Sequence, residues 1–87
     1  MAAAELIASG ATAATSSDIE LADGNSIIVA VEGADDRAEV AIELKGTGSN
    51  WISVRMLSRS EPAWSVVGPA TYRARRVAGG TCGVFSA

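Results

Sequence analysis

Apolar and polar residues alternate along most of this chain, most clearly between Ala38 and Leu57. In the first half of that stretch Val40, Ile42 and Leu44 fall on one face, and Glu39, Ala41, Glu43 and Lys45 on the other. The loop Gly46-Thr47-Gly48-Ser49-Asn50 follows. Beyond it the alternation puts Ile52, Val54 and Met56 on a dry side, and Trp51, Ser53 and Arg55 on a wet side. A period of two is the signature of a half-buried strand. Two such runs around a Gly- and Asn-containing loop predict a β-hairpin.

The same reading extends in both directions. Asp18 to Ala22 turns Ile19 and Leu21 inward and ends at Asp23-Gly24-Asn25, a tight-turn sequence. Ser26 to Glu32 is apolar on both faces, with Ile27, Val29 and Val31 opposed to Ile28 and Ala30. It is expected to be a central strand or one covered by a partner. Residues 33–37 form a turn, which accounts for the adjacent acids Asp35 and Asp36 better than a metal or acid–base site does. Residues 58–63 read as a polar loop that Pro62 keeps out of a regular ladder.

Trp64 to Val67 is a short strand, with Trp64 expected in the core, and Gly68-Pro69 breaks it. Ala70 to Val77 sends Thr71, Arg73, Arg75 and Val77 one way and Tyr72, Ala74 and Arg76 the other. Gly79-Gly80 closes that strand, and Cys82 to Ser86 supplies the last one. Seven or eight short strands with turns about every ten residues predict an all-β fold, a small antiparallel sandwich or barrel. One domain is expected over residues 18–87. Residues 1–17, rich in Ala, Ser and Thr, predict a short strand near 5–9 and then a flexible or extended connector. Together they could act as an N-terminal arm that orders on a neighbouring subunit.

Composition narrows the function. The 87 residues include only four aromatics, so the core must come from Val, Ile and Leu. A domain of this size buries only about two-thirds of the surface of its unfolded chain, and self-association would help it. There is one cysteine and no histidine. That excludes an intrachain disulfide, a zinc site and a Cys–His nucleophile. No metal and no cofactor is expected. The N-terminus has no basic region and carries Glu5 ahead of any apolar run, so no signal peptide is expected. No apolar run nears the roughly 20 residues that span a bilayer, and the expectation is a soluble protein with no membrane partner.

The net charge of −3 hides an asymmetry: residues 1–45 carry −7 and residues 46–87 carry +4. Acidic strands could pair with basic ones inside one sandwich, or the two signs could mark surfaces for neighbours. The single lysine, Lys45, sits beside a turn and makes a poor partner for a nucleophilic serine. Gly46-Thr47-Gly48 lacks the helix and third glycine of a dinucleotide loop. No enzyme activity is expected. Arg73, Arg75 and Arg76 form the basic cluster, but a pI near 4.7 speaks against nucleic acid as a partner. Arginine grips carboxylates in two places and suits an interface. Trp51 is the candidate exposed aromatic. The partner-binding candidates are therefore Trp51, Arg55, Arg73, Arg75 and Arg76.

Several stretches resemble small β proteins encoded among the structural genes of tailed bacteriophages. These are Ile7-Ala8-Ser9-Gly10 to Ser16-Ser17-Asp18, the hairpin with Trp51, then Leu57, Pro62 and the run Trp64-Ser65-Val66-Val67-Gly68-Pro69-Ala70-Thr71-Tyr72-Arg73-Ala74-Arg75-Arg76, ending near Gly83-Val84. Ala70 stands where that family usually has glycine. The resemblance implies a virion protein of immunoglobulin-like or similar sandwich form, assembled in a host cytoplasm. Its implied role is a capsid decoration protein that bridges capsomers, binding the major capsid protein or other virion proteins as a homo-oligomer or multicopy array. A head-fibre, tail or neck accessory is the alternative within that class. A small carbohydrate-binding module, stacking sugars on tryptophan, is the alternative from another class.

Overall fold

The computed structural model describes residues 4–87. Their nine strands are β1 (Ala4–Gly10), β2 (Ala14–Thr15), β3 (Ile19–Leu21), β4 (Ser26–Glu32), β5 (Glu39–Lys45), β6 (Trp51–Ser58), β7 (Ala63–Val67), β8 (Ala70–Arg76) and β9 (Cys82–Ser86). One sheet has the order β1-β9-β4-β7. The other has β8-β5-β6, with β2 and β3 both pairing along the far side of β8. All pairs are antiparallel. The two sheets pack face to face as a sandwich and do not close into a barrel. The strand count exceeds the seven or eight expected because the polar stretch 16–18 splits one edge strand into β2 and β3.

The core is what the alternation selects. Val29, Val31, Val40, Ile42, Val66, Ala74, Cys82 and Val84 point between the sheets and are buried. β4 is an interior strand, flanked by β9 and β7. Two turns depend on glycine. A Cβ on Gly68 would overlap the carbonyl oxygen of Ala22, and one on Gly80 would overlap the backbone of Arg37 and Ala38.

Three expectations are corrected. The first concerns β6. The β5–β6 ladder pairs Ile42 with Arg55 but Glu43 with Ser53, which leaves Val54 as an unpaired extra residue. Such a bulge reverses the facing of every residue on one side of it. Ile52, opposite Leu44, keeps its side, while Met56, opposite Ala41, moves to the wet face and Arg55, opposite Ile42, to the inner one. On this edge strand Ile52, Val54 and Met56 are 54%, 44% and 42% exposed. Leu57, opposite Val40, fills the core instead. Second, Trp64 is 40% exposed rather than core, because β7 is an edge strand and no strand among the described residues continues the sheet beyond it.

The third correction concerns the N-terminal segment. The strand expected near 5–9 is present, and the connector, expected to be flexible or extended, is extended, with Ala14–Thr15 paired along β8; what changes is the arm, which orders on its own domain and not on a neighbouring subunit. Ile7 is buried in the core, and β1 pairs with β9. Ser16 takes the place of a ladder residue: its N–H donates to the Ala74 carbonyl at 2.8 Å, and its hydroxyl accepts from the Ala74 N–H at 2.9 Å. The first three residues of the expected arm lie outside the described ones.

Candidate functional site

The outer face of the β8-β5-β6 sheet collects the charged and aromatic residues. The β5–β8 register sets Glu43 opposite Arg73 and Ala41 opposite Arg75. Directly opposed residues share a sheet face, so the two arginines flank one carboxylate. Arg73 Nε donates to Oε1 of Glu43 at 2.6 Å, and Arg75 Nε donates to Oε2 at 3.1 Å. Glu43 itself is only 6% exposed. Burial alone would raise its pKa. The hydrogen bonds and positive charges of Arg73 and Arg75 outweigh that and hold the carboxyl below its ordinary range.

Trp51 completes the group. It follows the hairpin loop opposite Lys45, and the bulge leaves it on the same face as Glu43. The Arg73 guanidinium lies over its ring, with Cζ 4.1 Å from the centroid. Arg73 is thus held twice, by a carboxylate on one strand and an indole on the next. The terminal nitrogens of Arg73 and Arg75 make no hydrogen bond among the described residues, so both present donors to a neighbour. The arrangement is a fixed basic–aromatic surface on the middle of a sheet.

Two of the five sequence candidates stand elsewhere. Arg55 lies beyond the bulge, on the inner face at the open side of the sandwich. Its Nη2 donates to Oε2 of Glu61 at 2.8 Å, and its Cζ lies 4.3 Å from the centroid of the Trp64 ring. It fastens β6 to β7 and the loop between them. Arg76 is turned inward and is 3% exposed. It donates to the carbonyls of Ala8 and Cys82 at 2.7 Å each and of Thr12 at 2.8 Å. It ties β1, the segment after it and β9 together, and its guanidinium does not reach the surface. The alternation on β8 already separated Arg76 from Arg73 and Arg75. What it could not show is that the inner position keeps an arginine by supplying it with backbone carbonyls.

Trp64, expected in the core, is the residue that sequence reasoning undervalued. Glu43 shares the wet side of its strand with Glu39, and it is the β5–β8 register that selects Glu43 as the partner of Arg73 and Arg75. Other chemistry is sparse. Among the described residues no group of three or more His, Cys, Asp or Glu side chains is placed to hold a metal ion. Cys82 is fully buried, and desolvation raises its thiol pKa. A shallow cavity of about 330 Å³ lies at one end of the sandwich, lined by both signs of charge through Asp36, Arg37, Glu39 and Arg59. It does not include the Trp51 group.

No protein-family model, no curated protein and no solved structure matches the chain.

Proposed function

We propose that this chain is a structural protein of a tailed-bacteriophage virion, attached in many copies as a capsid decoration protein that binds and stabilises the shell. The observation that carries the reading is the Trp51–Arg73–Glu43–Arg75 surface. Its side chains are fixed before any partner arrives, so little rotamer freedom is left to lose on contact. Arginine and tryptophan are the side chains that anchor protein interfaces. Arg55 and Arg76 support the scaffold, and the contact is made by Trp51, Arg73 and Arg75. Many copies of one modest contact on a symmetric shell add up by avidity.

The Trp51 ring is roofed by Arg73 and does not stand open above a groove, which favours a protein neighbour over a sugar. The same surface would serve a head-fibre, tail or neck accessory. Particles purified from the virus or prophage that carries the gene, with heads separated from tails, distinguish these sites. The expected result is that the protein co-purifies with heads at a fixed ratio to the major capsid protein. Its presence on tails alone would move it to the accessory role. Its presence in the lysate and absence from all particles would overturn the reading.

A further inference from the structure

The exposed large apolar side chains lie on the two open-side edge strands and on the strand beside one of them, and they point to different faces. Ile52, Val54 and Met56 lie on β6, Trp64 and Val67 on β7 and Ile28 on the neighbouring β4, all 40–59% exposed. β6 and β7 are edge strands on the same open side of the sandwich, joined by residues 59–62 and by the Arg55–Trp64 contact.

Sheet edges attract further strands unless something blocks them. Three of the edges here are blocked. β1 has two register shifts and carries Glu5. The opposite edge of the other sheet is broken into the two- and three-residue pieces β2 and β3. β6 has the Val54 bulge and the Arg55–Glu61 ion pair. β7 has none of these devices. Ala63–Val67 contains no charge and no proline, and its pairing with β4 is unbroken.

The ladder tells which backbone groups of β7 are free. Val31 N–H donates to the Pro62 carbonyl, and Gly68 N–H donates to the Asn25 carbonyl. Antiparallel hydrogen-bonded pairs recur at every second residue, so Trp64 and Val66 point their backbone groups at β4. Ala63, Ser65 and Val67 point theirs outward.

We propose that two copies of this chain pair through β7, antiparallel, about a two-fold axis at Ser65. Ser65 then faces Ser65 of the other copy as a hydrogen-bonded pair, and Val67 faces Ala63 in the same way. Trp64 falls opposite Val66, so each large side chain meets a smaller one. The Val67 carbonyl already accepts from the Tyr72 hydroxyl at 2.9 Å. The new ladder therefore rests on four bonds, donated by the Ser65 and Val67 amides of both copies. Charge agrees with this register. Arg59 lies in the loop before β7, and Asp23 lies in the turn next to Gly68, just after β7. Neither has an ion-pair partner among the described residues. Antiparallel pairing brings the Arg59 end of each copy to the Asp23 end of the other. This association stands apart from the virion reading and would hold for any function.

Sedimentation equilibrium of the full chain over the micromolar to sub-millimolar range tests it. The expected mass is twice 8.8 kDa at the upper end. Hydrogen exchange at the Ser65 and Val67 amides should slow on going from dilute to concentrated protein. Val67→Lys, on the solvent side of the strand, should keep the melting curve of the fold and place charge in the apolar pairing. Ser65→Pro should remove the two central bonds and raise the dissociation constant about tenfold or more. Arg59→Asp should weaken the dimer, and adding Asp23→Arg should restore it. A monomer at every concentration would overturn the proposal. So would a dimer that Val67→Lys leaves intact without slowed exchange at Ser65, since its interface would lie elsewhere.

Discussion

Arg73 and Glu43 face each other across the β5–β8 ladder, with Nε 2.6 Å from Oε1, and Glu43 is the more buried of the two. The carboxylate is therefore the fixed point and the arginines are arranged around it. Its second oxygen is taken by Arg75. Two guanidinium groups on one strand would repel each other without it. Through this single acid the acidic first half of the sequence is joined to the basic second half on one sheet face.

Glu43→Gln should show how much depends on that acid. The variant keeps the shape but leaves two half-exposed guanidinium groups without their charged acceptor. The expected loss is about 1–3 kcal/mol of unfolding free energy, read from the midpoint of urea denaturation at neutral pH. Glu20→Gln, on the exposed edge strand β3 with no ion pair among the described residues, should change stability by less than about 0.5 kcal/mol.

The same residue sets a pH dependence. The folded state holds the Glu43 pKa below its ordinary value of 4.5. The unfolded chain therefore takes up the proton first as pH falls. The stabilisation is complete above the ordinary value and is lost progressively below it, down through the folded value. Denaturation midpoints should fall as pH drops below about 4.5, and Glu43→Gln should flatten that slope. An equal slope in both proteins would assign it to other carboxylates.

Much of the sandwich was legible because its core residues alternate without interruption. Val29 and Val31, Val40 and Ile42, and Ala74 are buried as the period of two requires. The face of β6 was not legible. The extra residue at Val54 has no mark in the sequence, since Ile52, Val54 and Met56 alternate cleanly across the break. Only the pairing with β5 shows that the strand changes face there. Trp64 was misplaced for a related reason: alternation gives a side chain its direction but not whether another strand lies beyond it. Arg73, Arg75 and Trp51 were found because all three stay on the wet face. Arg76 was assigned to the surface group by adjacency in sequence, although its parity on β8 pointed inward.

Arg76 makes a strong stability prediction. Its guanidinium is buried and satisfies carbonyls on three separate segments. Arg76→Leu leaves those carbonyls unsatisfied and unfastens β1. The expected cost is about 3 kcal/mol or more, a large part of the total stability of so small a domain. Amide exchange should accelerate first in residues 5–10 and 82–85, the strands that Arg76 joins.

Cys82 should report folding without perturbing it. The thiol is fully buried, and burial raises its pKa, so little thiolate exists or is accessible in the native state. A thiol-reactive chromogen at pH 8 should label it only as fast as the domain opens. Full labelling should occur at once in concentrated urea. Arg76→Leu should raise the native labelling rate, since Cys82 lies on the strand that Arg76 secures.

Trp51→Ala separates attachment from stability. Trp51 is half-buried on the outer face, outside the buried core, and its main partner is the guanidinium of Arg73. A partly exposed cation–π contact is worth about 0.5–1 kcal/mol, so the melting temperature should fall by only a few degrees. Arg73 would keep its bond to Glu43 but lose the ring that fixes its plane. If this face attaches the protein to particles, each copy loses a small amount and the array loses it many times over. Particles assembled with the variant should therefore shed it on washing, at a concentration where the wild-type protein is retained. A variant retained as well as the wild type would place the attachment on a different face.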